Sequence, residues 1–497
     1  MSAHYVIGLD QSTSSTKAFL FGPGCELIAR SGRSHRQLIS PEGWVSHDPM
    51  EIYQNALEAV KSLIDHSGID RRQVAAIGIS NQRETALAWS RQSSLPICDA
   101  VVWQCARAKG VCERLHAAGG EEAVKASGLP LSPYFTGAKL RWILENVPEA
   151  EAAARKNDLC CGTMDSWLIY KLTAGRSFYT DYSNASRTQL LNLETLAWDE
   201  GCCRLFGLRP EWLPGLHGSN GLFGETDLDG YFPAPVPILA AMGDSHAALY
   251  GHRCLSPGMT KATYGTGSSV MMNIGPHPLA PAQGLVCSVG WQLDGKTAYV
   301  LEGNVNYAGA VLSWLSDLGL LDSADKAGEL ARAADPRDTT YLVPAFTGLG
   351  APYWCADAKA VLCGMTRRTG KAELIKAAEE SIAHQIRDVA ALLGEASGIA
   401  PSALCADGGG AKDRYLMQFQ SDLLALPVTV PACQELSALG AALAAGISAG
   451  LYTGRELDGA AETVYQPKMD AQSRARLCAG WRHALRLAMQ GDERSQR

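Results

Sequence analysis

The sequence predicts an α/β protein of two related domains that close on a ligand, and three observations carry that prediction. The first is length, since 497 residues exceed what one hydrophobic core organises. The second is a hydroxyl-rich turn, Gly8-Leu9-Asp10-Gln11-Ser12-Thr13-Ser14-Ser15-Thr16-Lys17. It is flanked by apolar runs and returns halfway along as Thr263-Tyr264-Gly265-Thr266-Gly267-Ser268-Ser269. The third is a Gly-rich turn, Asp407-Gly408-Gly409-Gly410-Ala411-Lys412-Asp413, set before a helix-like run at 415–424.

Each element has a local reason. A small polar turn between two strands offers backbone N–H groups and hydroxyls to an anion. Asp10, closing the first strand, stands where a carboxylate can hold a hydrated Mg²⁺ against a phosphate. A lone Ser/Thr turn often only closes a hairpin, but a repeated one, joined by a Gly-rich turn before a helix, points to a nucleotide. Asp48-Pro49-Met50-Glu51 has the form of a helix start, followed by Ile52, Ala56, Val60 and Leu63 at helical spacing. Residues 74–79 read as a buried strand that delivers Asn81-Gln82-Arg83-Glu84 into a loop at a strand carboxyl end, where α/β folds place ligands. A loop running into a helix is expected over 131–146, with Tyr134, Lys139 and Trp142, and polar clusters follow at 161–167 and 181–188. The apolar strand 235–242 ends in Gly243-Asp244, and the domain boundary is expected just beyond, dividing the chain into 1–252 and 253–497. A long amphipathic helix is expected over 373–393, ended by Gly394 or Gly398. The Ala- and Gly-rich stretch 436–452 is short for a membrane span and reads as a buried helix, and the polar tail after Met489 reads as frayed.

Composition excludes some classes. A hydrophobic fraction of 46%, a net charge of −7 and a pI near 5.9, without a basic stripe, argue against a nucleic-acid binder. The fifteen cysteines are scattered with no paired C-x-x-C, so reduced thiols in a cytoplasmic protein without a signal peptide are expected, and no membrane span. Gly290-Trp291-Gln292-Leu293-Asp294-Gly295-Lys296-Thr297 matches the P-loop pattern, yet alternating residues on both sides of Asp294-Gly295 make it a hairpin turn.

Phosphoryl transfer needs held phosphates, neutralised charge and an aligned acceptor hydroxyl beside a base. From the residues alone, Asp244 reads equally as such a base or as a helix cap. Arg83 and Glu84 read as a donor fork and an acceptor for adjacent hydroxyls, or as a solvated surface pair.

With these turns, Asn81-Gln82-Arg83-Glu84-Thr85, Val102-Trp103-Gln104-Cys105, Pro133-Tyr134-Phe135 and the run Val343-Pro344-Ala345-Phe346-Thr347-Gly348-Leu349-Gly350-Ala351-Pro352-Tyr353-Trp354, the chain resembles the FGGY carbohydrate kinases, and within them the glycerol kinases. The resemblance implies two actin-like (ribonuclease H-like) ATPase domains, with substrate and phosphate hairpin in 1–252 and nucleotide binding in 253–497. It implies ATP and Mg²⁺, and phosphorylation of glycerol to glycerol 3-phosphate, with a longer polyol or a ketose of the erythritol or xylulose type as the alternative. Asp244 becomes the catalytic base and, with Asp10, the organiser of the metal. Arg83, Glu84, Trp103, Tyr134, Asp244 and Ser245 fall at the substrate. Thr13, Ser14, Ser15, Lys17, Thr266, Gly309, Ser313, Gly409 and Asp413 fall at the nucleotide. A homodimer or homotetramer is the implied assembly.

This chain departs from the pattern at several positions. Lys17 replaces Arg, Ser313 replaces Gln, Asp413 replaces Asn, Ser245 replaces a substrate-binding Gln, and Ser268-Ser269 replaces Cys-Phe. The last two shorten side chains and suggest a roomier pocket, as does the Gly408-Gly409-Gly410-Ala411-Lys412 run, which resembles that of sugar-directed members. Residues 226–233 lack the Arg of a fructose 1,6-bisphosphate site, so that inhibition is not expected. Two rivals are a non-catalytic sugar or nucleotide sensor, which needs no base, and a chaperone-like ATPase, for whose peptide-binding domain the chain has no room.

Overall fold

Continuous apolar runs, as opposed to alternating ones, mark strands covered on both faces. The computed structural model, which describes residues 4–280, 284–460 and 462–490, puts those runs at the centres of two sheets. The first sheet contains β1 (Tyr5–Gln11), β2 (Ser15–Phe21), β3 (Leu27–Ser34), β4 (Val74–Asn81), β5 (Asn220–Thr226) and β6 (Val236–Gly243), in the order β5-β6-β4-β1-β2-β3. The second contains β7 (Met259–Tyr264), β8 (Ser268–Gly275), β9 (Val286–Leu293), β10 (Lys296–Val305), β11 (Ala403–Asp407), β12 (Val428–Pro431) and β13 (Glu462–Tyr465), in the order β9-β10-β8-β7-β11-β12-β13.

The two sheets repeat one plan. In each, an antiparallel hairpin (β1/β2, β7/β8) adds a third antiparallel strand on one side (β3, β10). On the other side follow two parallel strands and a closing antiparallel one (β4, β6, β5 and β11, β12, β13). The second sheet carries β9 as an extra edge strand. Its turn to β10 has Asp294 and Gly295 both at positive φ, 49° and 76°, as a two-residue hairpin requires, so the P-loop pattern is a hairpin.

Helices fill the faces. The ones that matter to the site are α1 (Pro49–Ser67), α2 (Thr136–Asn146), α3 (Asp244–Gly251), α4 (Gly309–Asp317), α5 (Lys371–Ser397), α6 (Arg414–Leu424) and α7 (Leu436–Ser448). Asp48 caps α1 by accepting from the amides of Met50 and Glu51, whereas the Glu51 carboxylate turns away to Arg36. Gly398, at φ 68°, ends α5; Gly394 lies inside the helix against Pro401.

The stretch read as a buried helix is α7, and its place was not expected. It follows the second sheet in sequence but packs on β1, β4 and β6 of the first, and along α3. Glycines make the approach possible: an added Cβ at Gly8, Gly78 or Gly251 would fall 2.6, 2.2 or 2.5 Å from carbonyl groups of α7, and one at Gly440 would fall 1.9 Å from the Ala247 carbonyl. All fifteen cysteines are free. Among the described residues no helix is long and apolar enough to cross a membrane. Of the polar tail, residues 491–497 lie outside the described residues.

Candidate active site

β4 ends at Asn81, and the chain leaves the sheet as Gln82-Arg83-Glu84-Thr85. Arg83 and Glu84 are not a solvated surface pair: they are 7% and 2% exposed. Both terminal nitrogens of Arg83 donate to the two oxygens of Glu302 at 3.0 Å, a bidentate pairing. Its Nε lies 3.4 Å from Asp244 Oδ1. Arg187 donates from Nε to Glu84 Oε1 at 2.6 Å, and its Nη1 lies 3.1 Å from Glu302 Oε2. Ser269 donates its hydroxyl to Glu302 Oε1 at 2.7 Å. Two guanidiniums and two carboxylates thus form a buried tetrad with Asp244 at its edge. Burial would raise the Glu302 carboxyl, but Arg83 and Arg187 outweigh it and hold that group well below the usual range. Each guanidinium carries five N–H donors, so Arg83 keeps some for a ligand hydroxyl.

Glu84 sits in the left-handed region at φ 60°, a conformation costing a non-glycine residue roughly 1–2 kcal/mol. Its carbonyl oxygen is held by Thr136 Oγ1 at 3.1 Å and approached by Lys139 Nζ at 3.5 Å. Asp244 opens α3 directly after β6. Only a glycine fits before it, because a Cβ at Gly243 would meet Arg83 Cγ at 2.7 Å. Asp244 Oδ1 accepts from the Ser245 amide at 2.6 Å, and Ser437 on α7 donates to the Asp244 carbonyl at 3.0 Å.

Aromatic side chains close the other wall. Trp103 and Tyr134 meet edge to face at 5.6 Å, and Trp103 Nε1 donates to Thr13 Oγ1 at 3.0 Å, joining this wall to the first hairpin. The cavity beside this wall, about 890 Å³, brings together Thr13, Arg83, Glu84, Trp103, Tyr134, Asp244 and Ser245, with Thr266 also in its lining.

A second cavity of about 590 Å³ is lined by Thr266, Gly309, Ser313, Gly409 and Asp413, with Leu312, Ile382 and Leu416 as apolar walls. The amide of Gly309 at the start of α4 donates to the Gly265 carbonyl at 2.8 Å, and a Cβ on Gly409 would meet nothing within 4 Å. Thr266 lines both cavities, so the two sites adjoin. Asp413 is engaged with main chain: it caps α6 through the amides of Tyr415 and Leu416 at 2.7 and 3.1 Å and accepts from Gly328 N at 3.0 Å.

Ser14, Ser15 and Lys17 line neither cavity. Lys17 lies 3.9 Å from Glu435, just before α7. Asp10 accepts a hydrogen bond from Ser80; burial, reinforced by the Asp244 carboxylate, pushes its carboxyl up to about 6. Among the described residues no group of three or more His, Cys, Asp or Glu side chains forms a metal cage.

Sequence reasoning missed Glu302, Arg187 and Glu379. A charge inside the apolar run 299–302 was the available signal for Glu302, and the polar cluster 181–188 contained Arg187. Glu379, on α5 and only 1% exposed, lines the second cavity; burial and then the neighbouring Asp413 push its carboxyl up to about 9.

Comparison with known proteins identifies the family. Residues 5–251 match the FGGY family of carbohydrate kinases, N-terminal domain, and residues 260–449 match its C-terminal domain. Glycerol kinase 1 of Thermotoga maritima is 43% identical over 97% of this chain and 99% of its own length. The crystal structure of Plasmodium falciparum glycerol kinase with ADP superposes with a TM-score of 0.93 at 30% identity, covering 98% of both chains. Xylulose kinase from Lactobacillus acidophilus shares the fold, with a TM-score of 0.86 at 21% identity over 97% of both chains. Two repeated α/β domains, adjoining cavities and a match across both halves lead to one conclusion: the chain belongs to the FGGY family of carbohydrate kinases.

Proposed function

We propose that this chain transfers the γ-phosphoryl group of ATP to a terminal hydroxyl of glycerol, giving glycerol 3-phosphate. The observation that carries the reading is the Arg83–Glu302–Arg187–Glu84 tetrad with Asp244 at its edge, in a cavity that meets a second one at Thr266. The names of the relatives at 43% and 30% identity support the same acceptor.

Arg83 donates to one glycerol hydroxyl with the N–H groups that Glu302 leaves over, and Glu84 accepts from its neighbour. Trp103 and Tyr134 cover the carbon chain. Asp244 accepts the proton of the terminal hydroxyl, whose oxygen then attacks the γ-phosphorus in line with the departing ADP oxygen. The Arg83 Nε, 3.4 Å from Asp244 Oδ1, holds that carboxylate in place beside the acceptor hydroxyl. On the far side, Leu312, Ile382 and Leu416 receive the base, while Thr266, Gly309 and Gly409 bring backbone close to the sugar and phosphates. Ser313 and Asp413 border that cavity, and Thr13, Ser14, Ser15 and Lys17 belong to the hairpin assigned to the transferred phosphate.

The acidic pair Asp10 and Asp244 suits Mg²⁺, a cation that keeps most of its waters and takes one or two carboxylates beside a phosphate, in preference to a full protein cage. When bound, it neutralises phosphate charge. The division at 252/253, a cytoplasmic location and a homodimeric or homotetrameric state complete the reading. A longer polyol is the second reading, favoured by the short polar groups Ser245, Asn304 and Asn306 on the wall of the larger cavity.

Asp244→Asn tests the reading. It should lower kcat by about 10²–10⁴-fold, the range for losing a general base, while glycerol binding measured by calorimetry persists. Unchanged turnover would remove Asp244 from the mechanism.

A further inference from the structure

We propose that Lys139 is the positioning residue of the acceptor site, its ammonium fastening the aromatic wall to the Glu84 turn; this rests on the reading that the larger cavity takes the polyol. Lys139 lies on α2 and is 0% exposed. Its three N–H groups meet three main-chain carbonyls: Nζ donates to Tyr134, to Phe135 at 3.3 Å and, more distantly, to Glu84 at 3.5 Å. All three of those residues line the cavity, and two chain segments about fifty residues apart meet at this one nitrogen. Glu84 gives the fastening its purpose, because it is the strained residue at φ 60° whose carboxylate Arg187 holds. Thr136 Oγ1, one turn before Lys139, secures the same carbonyl at 3.1 Å.

An ammonium satisfies three acceptors, whereas a neutral amine has two N–H groups and turns a lone pair toward the third. Burial pulls Lys139 down to about 7, opposed by Glu84 from the turn after β4 and by Cys105 and Cys112 from the segments beside α2. The fastening therefore loosens as pH rises through neutrality, and glycerol affinity falls with it.

The test is steady-state kinetics of the full chain with glycerol and Mg-ATP from pH 6 to 9, on wild type, Lys139→Met and Lys139→Gln. In wild type the KM for glycerol should rise about tenfold across the range, the loss of one charge-assisted hydrogen bond, while the KM for Mg-ATP stays level. Lys139→Met should raise the glycerol KM at pH 6 by about tenfold or more and flatten its pH profile. Lys139→Gln, which keeps two N–H donors, should fall between. A folded Met variant with unchanged glycerol KM, or with both KM values raised equally, overturns the proposal. Should the Met variant not fold, a flat wild-type profile overturns it alone. If wild type turns over a longer polyol in place of glycerol, the acceptor named above is wrong and the same series is read on that polyol; if no acceptor is turned over, both proposals fall.

Discussion

Glu302 is the residue on which the proposed acceptor site turns. It receives both terminal nitrogens of Arg83, the Ser269 hydroxyl and the approach of Arg187, so removing its charge strands two buried guanidiniums. Glu302→Gln should cost about 3 kcal/mol of stability, read as a lowered denaturation midpoint, and weaken glycerol binding along with it. Ser269 has a related part. From sequence it marked a shortened side chain and a roomier pocket; in the fold its hydroxyl anchors Glu302. Neither role was legible, because the Arg83–Glu302 pair is separated by 219 residues and the Arg187–Glu84 pair by 103. What the sequence did carry were side chains delivered by local motifs, such as Arg83 and Glu84 after β4 and Asp244 after β6. At Asp10 the prediction concerns pH. Its carboxyl is raised from 3.8 to about 6 in the folded chain, so between those values the folded state holds a proton that the unfolded state has released. The stability gained from that proton is lost as pH rises through about 6, whereas cation binding needs the ionised form. The Mg²⁺ concentration for half-maximal rate should therefore climb below pH 6 in wild type, and a titration at several pH values should show no such climb in Asp10→Asn.

At the scale of elements, α7 and α3 form the unit that fixes Asp244, the proposed base. Asp244 begins α3, α7 lies against that helix through Gly440 and Gly251, and Ser437 on α7 holds the Asp244 carbonyl. Gly440→Val should force the helices apart, costing about 3 kcal/mol as judged by thermal denaturation, and should lower kcat more than it raises the glycerol KM. A denaturation midpoint equal to wild type would show that the contact is not close. Caps, amphipathic spacing and turn glycines made α1, α5 and α6 legible, since each is written within a single segment. The docking of α7 was not, because an Ala- and Gly-rich helix states that it is buried without stating against what.

The whole molecule is one plan used twice, and its repeated hairpins were the clearest sign of this in the sequence. Each sheet offers the carboxyl ends of its parallel strands to the cleft: β4 and β6 bring Arg83, Glu84 and Asp244, and β11 leads into the Gly-rich turn of the second cavity. Thr266 borders both, so under the proposed function phosphoryl transfer would need no long carrier motion, only closure that excludes water. Glycerol and an unreactive ATP analogue together should raise the thermal midpoint more than the sum of either alone, because closure on one pre-forms the site for the other. The most direct measurement is ADP release from Mg-ATP against glycerol, erythritol, xylitol and xylulose, with kcat/KM compared across the panel. The expected result is acceptor-dependent release led by glycerol, with glycerol 3-phosphate as product. Release that ignores the acceptor, or a panel led by xylulose, would contradict it.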